Sequence, residues 1–551
     1  MILTTSYLFS HLSSDSTTLF ITPYTPPRKR DPTEQIPIEI SKIAYFIQHS
    51  PSTSPDSSSE PSSSASPTTE TTCYYLGRND DSSYNTFKFV LDADSPQLPS
   101  SLDHLVINSS ETSTRRRVEI VMNPKSGHGY SSALLNDVVK PLLKPFEELG
   151  YFHLRISETM GKNDGERVGR EIITQSEGKD TTVIVLGGDG TVHEVLNGAV
   201  LSEQGEPQRG GPNLDLVLIP TGTANAMYYH LFPPESPLYP QSTPLSPFYS
   251  LVAFLRRFAT TSSPLPLPLA LNSIDRPPNS SSSPIPPPTL TSVVTSAALH
   301  ACLLHDAEEL RETHPGLERF KIAAQENVKR WWEGTLTLQG QAVKSYESKS
   351  KSFRTEMQEG EGGGVRLEGP FAYWVGSLVS RFEPSFVVAP LRSPQHSLAP
   401  SAATSDLATI DLVVIRPLRH RTTRAAWEKD ERGEDLKLEF AEKVWEVTAG
   451  MYQGGKHVDM VYEKGEGSED TDGGATKTEI VEVWRVNEFV WTPVSPIVSF
   501  VKVSTRSNRV ASSDLKSNLV CFDGALHDLG QGGSLRTRIL GSEETGVRVW
   551  C

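Results

Sequence analysis

Residues 181–198 read TTVIVLGGDGTVHEVLNG. Val183, Ile184, Val185 and Leu186 make a continuous apolar, mostly β-branched run of the kind that fills a strand buried on both faces. The run enters Gly187, Gly188, Asp189, Gly190 and Thr191, then Val192, Val195 and Leu196 recur at helical spacing. A strand that ends in a glycine turn at a helix start suits an anion. Glycine lets the backbone approach without a Cβ clash, and the unpaired N–H groups and the positive end of the helix dipole point at the ligand. Asp189 has the wrong charge to touch phosphate; a carboxylate beside bound phosphates takes a proton from an attacking hydroxyl or orients Mg²⁺. A carboxylate among glycines has little to offer stability, so a chemical role is expected of it.

Outward from this stretch the pattern alternates. Residues 118–122 form a buried strand, 123–129 (NPKSGHG) a glycine-bearing turn, and Leu134, Leu135, Val138, Leu142 and Phe146 a helix that Pro141 and Pro145 should break or bend. Strands are expected at 151–156 and 214–219 and helices at 164–176 and 227–231, with a third polar turn, PTGTANA, at 220–226. Alternation of this kind implies a parallel sheet with helices on both faces, whose ligands gather at the carboxyl ends of the strands. All three polar turns follow strands and so fall on that edge. Residues 248–259 (FYSLVAFLRRFA) read as an amphipathic helix, either core or lying on a membrane surface.

Residues 1–110 read as a small β-rich module with strands at 7–9, 17–21, 43–47, 73–76 and 86–91, interrupted by a Ser/Thr/Pro-rich linker, 51–72, too poor in apolar surface to order. Residues 273–290 are a Ser/Pro-rich surface loop. Beyond Gly334 the period is mostly two, at 335–338, 371–375, 386–389, 410–415, 479–486 and 519–522, which predicts a β-sandwich-like domain with polar inserts at 344–364, 393–406 and 463–477. The expected organisation is α/β plus β: 1–110, 115–265 as a three-layer α/β domain, 291–529 as the β domain, and a tail, 530–551, returning to the fold.

A chain of 551 residues with 36% hydrophobic content accommodates several cores, and a formal net charge of −15 argues against nucleic acid as a partner. Cys73, Cys302, Cys521 and Cys551 stand far apart, without metal-ligand spacing, which fits a reducing compartment. The opening ILTTSYLFSHLSS lacks the charge pattern of a cleaved signal, and no stretch reaches the ~18 apolar residues of a membrane span. If its substrate is a lipid, the protein must visit the membrane rather than live in it, which places it in the cytoplasm in peripheral contact with intracellular membranes or the plasma membrane.

Together, the turn at 123–129, the stretch 187–191 with Glu194, Asn197 and Gly198, and the turn at 220–225 resemble the catalytic domain shared by diacylglycerol kinases and sphingosine kinases. The resemblance covers residues 115–529 with the inserts skipped and is closest to fungal-type sphingoid long-chain base kinases. GGDGT alone also occurs in NAD kinases and phosphofructokinases; three motifs in order are more specific. Residues 297–320, AALHACLLHDAEELRETHPGLERF, look like the sphingosine kinase signature. Asp306 falls where that family places the aspartate that recognises the sphingoid head group, and Gly316, Arg319 and Phe320 fall on its Gly, Arg and Phe. A cationic amino alcohol wants a carboxylate partner, whereas neutral diacylglycerol does not; capping of a helix by Asp306 and Glu308 is the alternative.

The resemblance implies ATP and Mg²⁺ as cofactors and Asp189 as the base. It implies nucleotide contacts from Asn123, Thr159, Gly187, Gly188, Gly190, Thr191, Glu194, Gly222, Thr223, Asn225, Arg319, Asp523 and Gly524. Two positions depart from the family pattern: Ala525 replaces a glutamate after Asp523 and Gly524, and Thr313 an arginine. These departures bear on nucleotide affinity rather than on the fold. His193 reads as a structural hydrogen-bond donor, with acid–base work the alternative, and Lys125 either reaches phosphate or is solvated. The activity implied is phosphoryl transfer from ATP to a sphingoid base. Its rivals are a diacylglycerol or ceramide kinase and a catalytically weak lipid-binding or scaffold protein.

Overall fold

The structure, a computed structural model, describes residues 6–13, 15–24, 35–49, 70–91, 97–108, 116–208, 210–277, 284–314, 316, 318–340, 343–356, 364–392, 409–429, 433–463, 478–494 and 515–551. Two-sided burial sets its central sheet. In the strand Thr181–Gly187, Val183 and Val185 enter one apolar cluster while Ile184 and Leu186 enter another. The strand Leu214–Pro220 divides likewise, Leu216 and Leu218 against Val217 and Ile219. A strand buried on both faces needs helices on both sides. Asp164–Gln175, Asp189–Val200 and Ala226–Leu231 cover one face, Lys140–Glu148 and Tyr249–Arg256 the other.

The sheet runs Leu265–Pro266, Val547–Val549, Leu214–Pro220, Thr181–Gly187, Arg116–Met122, Phe152–Glu158, parallel except at its first pair. The tail thus returns to the fold as an inserted strand. Asp215, fully buried, ties it in by accepting from Arg548 at 2.6 Å and from Arg116 at 3.3 Å. Pro141 and Pro145 do not break their helix: helical backbone runs from Tyr130–Leu134 through a π turn at Leu135–Val139 into Lys140–Glu148, and the π turn takes up the irregularity ahead of Pro141.

Seven strands between Ser6 and Asn108 form a second sheet that packs on the helical layer. Tyr45 Oη donates to the Leu142 carbonyl at 2.6 Å, and Arg256 donates to the carbonyls of Ile43 at 2.8 Å and Ala44 at 2.9 Å. The helix read at 248–259 is therefore core, clamped between two sheets, and is not available to a membrane surface. The strand Glu70–Arg78 begins inside the linker assigned to 51–72; residues 51–69 lie outside the described residues.

A six-stranded and an eight-stranded sheet make up the second half. Their side chains meet in one cluster, with the Trp374 ring 5.7 Å from Phe489 and 5.5 Å from Trp491. Strands Leu269–Asp275 and Ser534–Leu540 belong to the six-stranded sheet, so the range 291–529 is too narrow. Residues 273–275 belong to a strand and not to a surface loop, and residues 278–283 lie outside the described residues. Residues 386–389 form no strand, and the insert at 344–364 opens with a hairpin, Lys344–Glu347 with Ser352–Thr355. Residues 393–408 and 464–477 lie outside the described residues. Two helices that the period-two reading missed, Arg421–Glu428 and Gly433–Tyr452, pack on this half. Among the described residues no helix is long and apolar enough to cross a membrane.

Glycines set how closely the helices Asp164–Gln175 and Asp189–Val200 approach. A Cβ on Gly198 would lie 1.9 Å from the Glu166 carbonyl oxygen, and one on Gly169 would lie 2.3 Å from that of Val195. At Gly190, in the same helix, a Cβ meets nothing within 4 Å. Gly198→Ala is expected to cost about 3 kcal/mol by forcing the helices apart. Gly190→Ala should stay within about 1 kcal/mol of wild type, on the stabilising side. Urea unfolding of the two variants checks this; equal losses would contradict the packing role of Gly198.

Candidate functional site

The three polar turns lie side by side at the carboxyl ends of neighbouring strands, locked by hydroxyls and by the absence of Cβ atoms. Thr221 N–H donates to the Gly187 carbonyl at 3.2 Å. Its hydroxyl donates to Ser126 Oγ at 3.0 Å and accepts from Ser131 Oγ at 3.1 Å. A Cβ on Gly222 would stand 2.4 Å from the Gly188 Cα, and one on Gly187 would stand 2.6 Å from the Thr191 Cβ. Asn123 Nδ2 donates to Thr191 Oγ1 at 3.2 Å while its Oδ1 accepts from Lys125 N–H at 3.0 Å. Thr159 is buried at the end of its strand, its N–H on the Met122 carbonyl at 2.9 Å.

Asn225 is committed to this scaffold. Its φ is +54°, and its amide closes the turn on Gly222 in both directions, accepting from the N–H at 2.9 Å and donating to the carbonyl at 2.8 Å. Thr223 is exposed beside it, and Gly190 faces open space. The edge therefore has a rigid floor and an open mouth lined by Gly190 and Thr223.

Asp189, the first residue of the helix Asp189–Val200, accepts from Ala226 N–H at 2.8 Å through Oδ2 and from Met227 N–H at 3.1 Å through Oδ1. These N–H groups open the helix Ala226–Leu231 and have no partner within it. The reading that this carboxylate offers nothing to stability is corrected: it caps the neighbouring helix, a contact worth about 1 kcal/mol. Burial pushes its pKa up to about 6, against the two N–H bonds that lower it, and the charge of Asp523 adds to the rise. Each carboxylate oxygen keeps a lone pair beyond the one it gives to the backbone, so proton acceptance stays open.

The remaining predicted residues part company. Glu194 accepts from Asn163 N–H at 3.0 Å and from Gly165 N–H at 2.9 Å, which places it as a cap on the helix Asp164–Gln175. Asp523 is buried, with φ +49°, and is saturated by backbone donors: Ser292 at 2.7 Å, Val293 at 2.9 Å and Val294 at 2.8 Å. Its Oδ2 also meets His193 Nδ1 at 3.2 Å, which gives His193 a structural role joining the central sheet's helix to the second half. Gly524, φ +93°, meets nothing within 4 Å of a Cβ. Arg319 lays its guanidinium over the Phe320 ring at 4.8 Å and leaves Nε buried without a hydrogen-bond partner. Among the described residues it makes no hydrogen bond or ion pair with the glycine turns.

Asp306 does not cap a helix. It lies in the last turn of Ala298–Glu309, where Lys516 Nζ reaches its two oxygens at 2.7 and 2.9 Å and Asn327 Nδ2 donates at 2.6 Å. Burial alone would raise its pKa, but the bonds from Lys516, Asn327 and His305 outweigh it and hold the carboxyl below its ordinary value. Sequence reasoning missed the Ser126, Ser131 and Thr221 hydroxyls, although all three lie in or beside the polar turns. It also missed Lys516, which carries no local signal.

Residues 117–243 match the model of the diacylglycerol kinase catalytic domain. This segment, less than a quarter of the chain, is similar to the catalytic domain of that family. Three curated relatives are similar to part of the chain. Sphingosine kinase B of Dictyostelium discoideum is 29% identical over 144 residues, 26% of this chain and 18% of that protein. Sphingoid long-chain bases kinase 1 of Arabidopsis thaliana is 27% identical over 121 residues, 22% and 14% of the two chains. Sphingosine kinase 1 of Homo sapiens is 31% identical over 112 residues, 20% and 26%. The matched segments thus span about a quarter or less of these relatives. A solved structure of a Bacillus anthracis str. Sterne protein assigned as a diacylglycerol kinase superimposes on 78% of this chain and 96% of its own, at 15% identity and a TM-score of 0.37. Within the matched segment, Asn123, Gly187, Asp189, Thr191 and Gly222 form one contiguous edge.

The raised pKa of Asp189 has a definite thermodynamic sign. The unfolded carboxyl ionises near 3.8 and the folded one near about 6, so the contribution is fully present below 3.8 and is lost as pH rises through about 6. Urea unfolding between about pH 4 and pH 7 should therefore show wild type losing stability relative to Asp189→Asn as pH rises. A difference that does not vary with pH would contradict the raised folded pKa of Asp189.

Proposed function

We propose that this protein is an ATP- and Mg²⁺-dependent lipid kinase that phosphorylates the primary hydroxyl of a sphingoid long-chain base. The observation that carries the reading is Asp189, a carboxylate with a pKa of about 6, fixed by two backbone N–H groups between the Gly188 and Gly222 turns at an open strand edge. A base of that strength is ionised at neutral pH and strong enough to take a proton from an alcohol as it attacks. ATP with Mg²⁺, when bound, supplies the γ-phosphoryl group.

The chain's own residues fit that role. The helix start at Asp189–Val200 presents positive partial charge to the mouth, and Gly190 leaves room there for a phosphate to approach the backbone. Thr223 offers an exposed hydroxyl. Arg319, with an unpartnered donor, is the charged group we assign to the phosphates. Asp523 is filled by internal donors, so its part is to fix the helix Asp189–Val200 and not to touch nucleotide, whereas Glu194 caps Asp164–Gln175 with one N–H on each oxygen and keeps a lone pair on each. Asp306 is the carboxylate we assign to the substrate amine, with the Lys516 ammonium holding that position between turnovers.

That ion pair also supports a second reading, a diacylglycerol or ceramide kinase, in which Asp306 serves only Lys516. Transfer of labelled phosphate to sphingosine, dihydrosphingosine, phytosphingosine, ceramide and diacylglycerol in mixed micelles separates the two. Asp189→Asn should lower transfer by at least about 10²-fold while the chain stays folded. Asp306→Ala should lower transfer to the free bases by about tenfold or more and Lys516→Met should not, because only the first removes the partner of the amine. Equal losses from Asp306→Ala on every lipid would refute the amine assignment, and wild-type turnover by Asp189→Asn would refute the base.

A further inference from the structure

We propose that the solvent face of the helix Gly433–Tyr452 is a docking surface for a cationic amphipathic helix of a partner protein. The proposal is independent of the kinase reading. The inner face is anchored: Leu436, Phe440, Val444, Val447 and Met451 are all at least 95% buried, and the Phe440 ring meets Trp331 at 5.9 Å. The orientation of the outer face is thereby set.

On that outer face Leu438, Trp445 and Tyr452 recur every seven residues and are 61%, 39% and 53% exposed. Seven residues are two helical turns to within about 20°, so the three side chains form one line, roughly 20 Å long at a rise of about 1.5 Å per residue. Of the large apolar residues exposed among the described part of the chain, three fall on this single helix in register. An aligned exposed apolar stripe marks an interaction surface, whereas scattered exposure does not.

A second line runs beside the first. Asp435, Glu442 and Glu446 are exposed and lie seven and four residues apart, alongside the stripe, while Glu439 between them has a partner of its own. The helix carries five carboxylates against two lysines, and those lysines already pair with carboxylates of the helix, Lys437 with Glu434 at 3.2 Å and Lys443 with Glu446 at 2.7 Å. The apolar stripe is thus bordered by net negative charge.

That border selects the occupant. A second copy of this chain would bring the acidic ridge against itself, and an anionic bilayer would be repelled by it. A helix with an apolar line of the same seven-residue period and lysines or arginines along one flank meets both ridges at once, apolar on apolar and cation on carboxylate.

The test uses the full-length chain and a fluorescein-labelled three-heptad synthetic helix with leucines along one line and lysines along its flank, together with the same peptide carrying glutamates for lysines. Anisotropy should show the lysine peptide binding wild type, and both Trp445→Ala and the combined Asp435→Lys, Glu442→Lys, Glu446→Lys variant should weaken it by about tenfold or more. The glutamate peptide should not bind. The substituted side chains are exposed, so the variants should keep the wild-type circular dichroism and melting temperature. Binding of the lysine peptide that is unchanged in the variants, or absent in wild type, would overturn the proposal. So would Trp445-dependent sedimentation with phosphatidylserine vesicles or Trp445-dependent self-association.

Discussion

Two backbone N–H groups, those of Ala226 and Met227, end on the carboxylate of Asp189, and much of the architecture hangs on that contact. It joins two neighbouring strand–turn–helix units at their turns, so the helix Asp189–Val200 cannot move without the helix Ala226–Leu231. It also satisfies donors that every helix start leaves open. The same bonds that make Asp189 a cap pull its pKa down, and burial pulls it further up, so its proton affinity is set by the packing around it. A structural role and the proposed chemical role therefore fall on one side chain, and a substitution there bears on both.

The helix Asp189–Val200 is also where the two halves of the molecule are joined. His193 reaches the saturated carboxylate of Asp523. Asn197 pairs with Leu290 as a backbone residue would, donating to its carbonyl at 3.1 Å and accepting from its N–H at 2.8 Å. At the far end of Ala226–Leu231, His230 Nδ1 accepts from Ser380 N–H at 3.1 Å. Each bond pairs a buried polar group that would otherwise cost about 1–3 kcal/mol. The glycine-turn edge is held against the second half by specific hydrogen bonds as well as by apolar burial, so any closing motion of the two halves must break or pivot on them.

The central sheet was legible because its strands carry apolar runs and its turns carry glycine, both local signals. The Gly187 to Thr191 turn and the strand before it needed no tertiary information. What stayed hidden depends on distance in the chain. Nothing near Asp189 tells that Ala226 and Met227 will donate to it, and nothing near Asp306 tells of Lys516. Glu194 and Asp523 look like free carboxylates in sequence, but amides from other segments donate to both. The helix Gly433–Tyr452 is a different case. Its core positions recur at helical spacing, and a period-two reading of the surrounding segment passed over them. The strand Val547–Val549 is too short to be read locally and exists because the edge of Leu214–Pro220 receives it.

As the proposed proton acceptor, Asp189 is tuned by the packing around it. The most direct test is the single-turnover rate of phosphoryl transfer to sphingosine by the wild-type chain, followed from about pH 4.5 to about pH 8 with saturating MgATP. The account predicts a rate that rises through about pH 6, the folded value of Asp189, and then levels off. A rate already at its plateau at the acid end of that range, as an ordinary carboxylate near 3.8 would give, would contradict it.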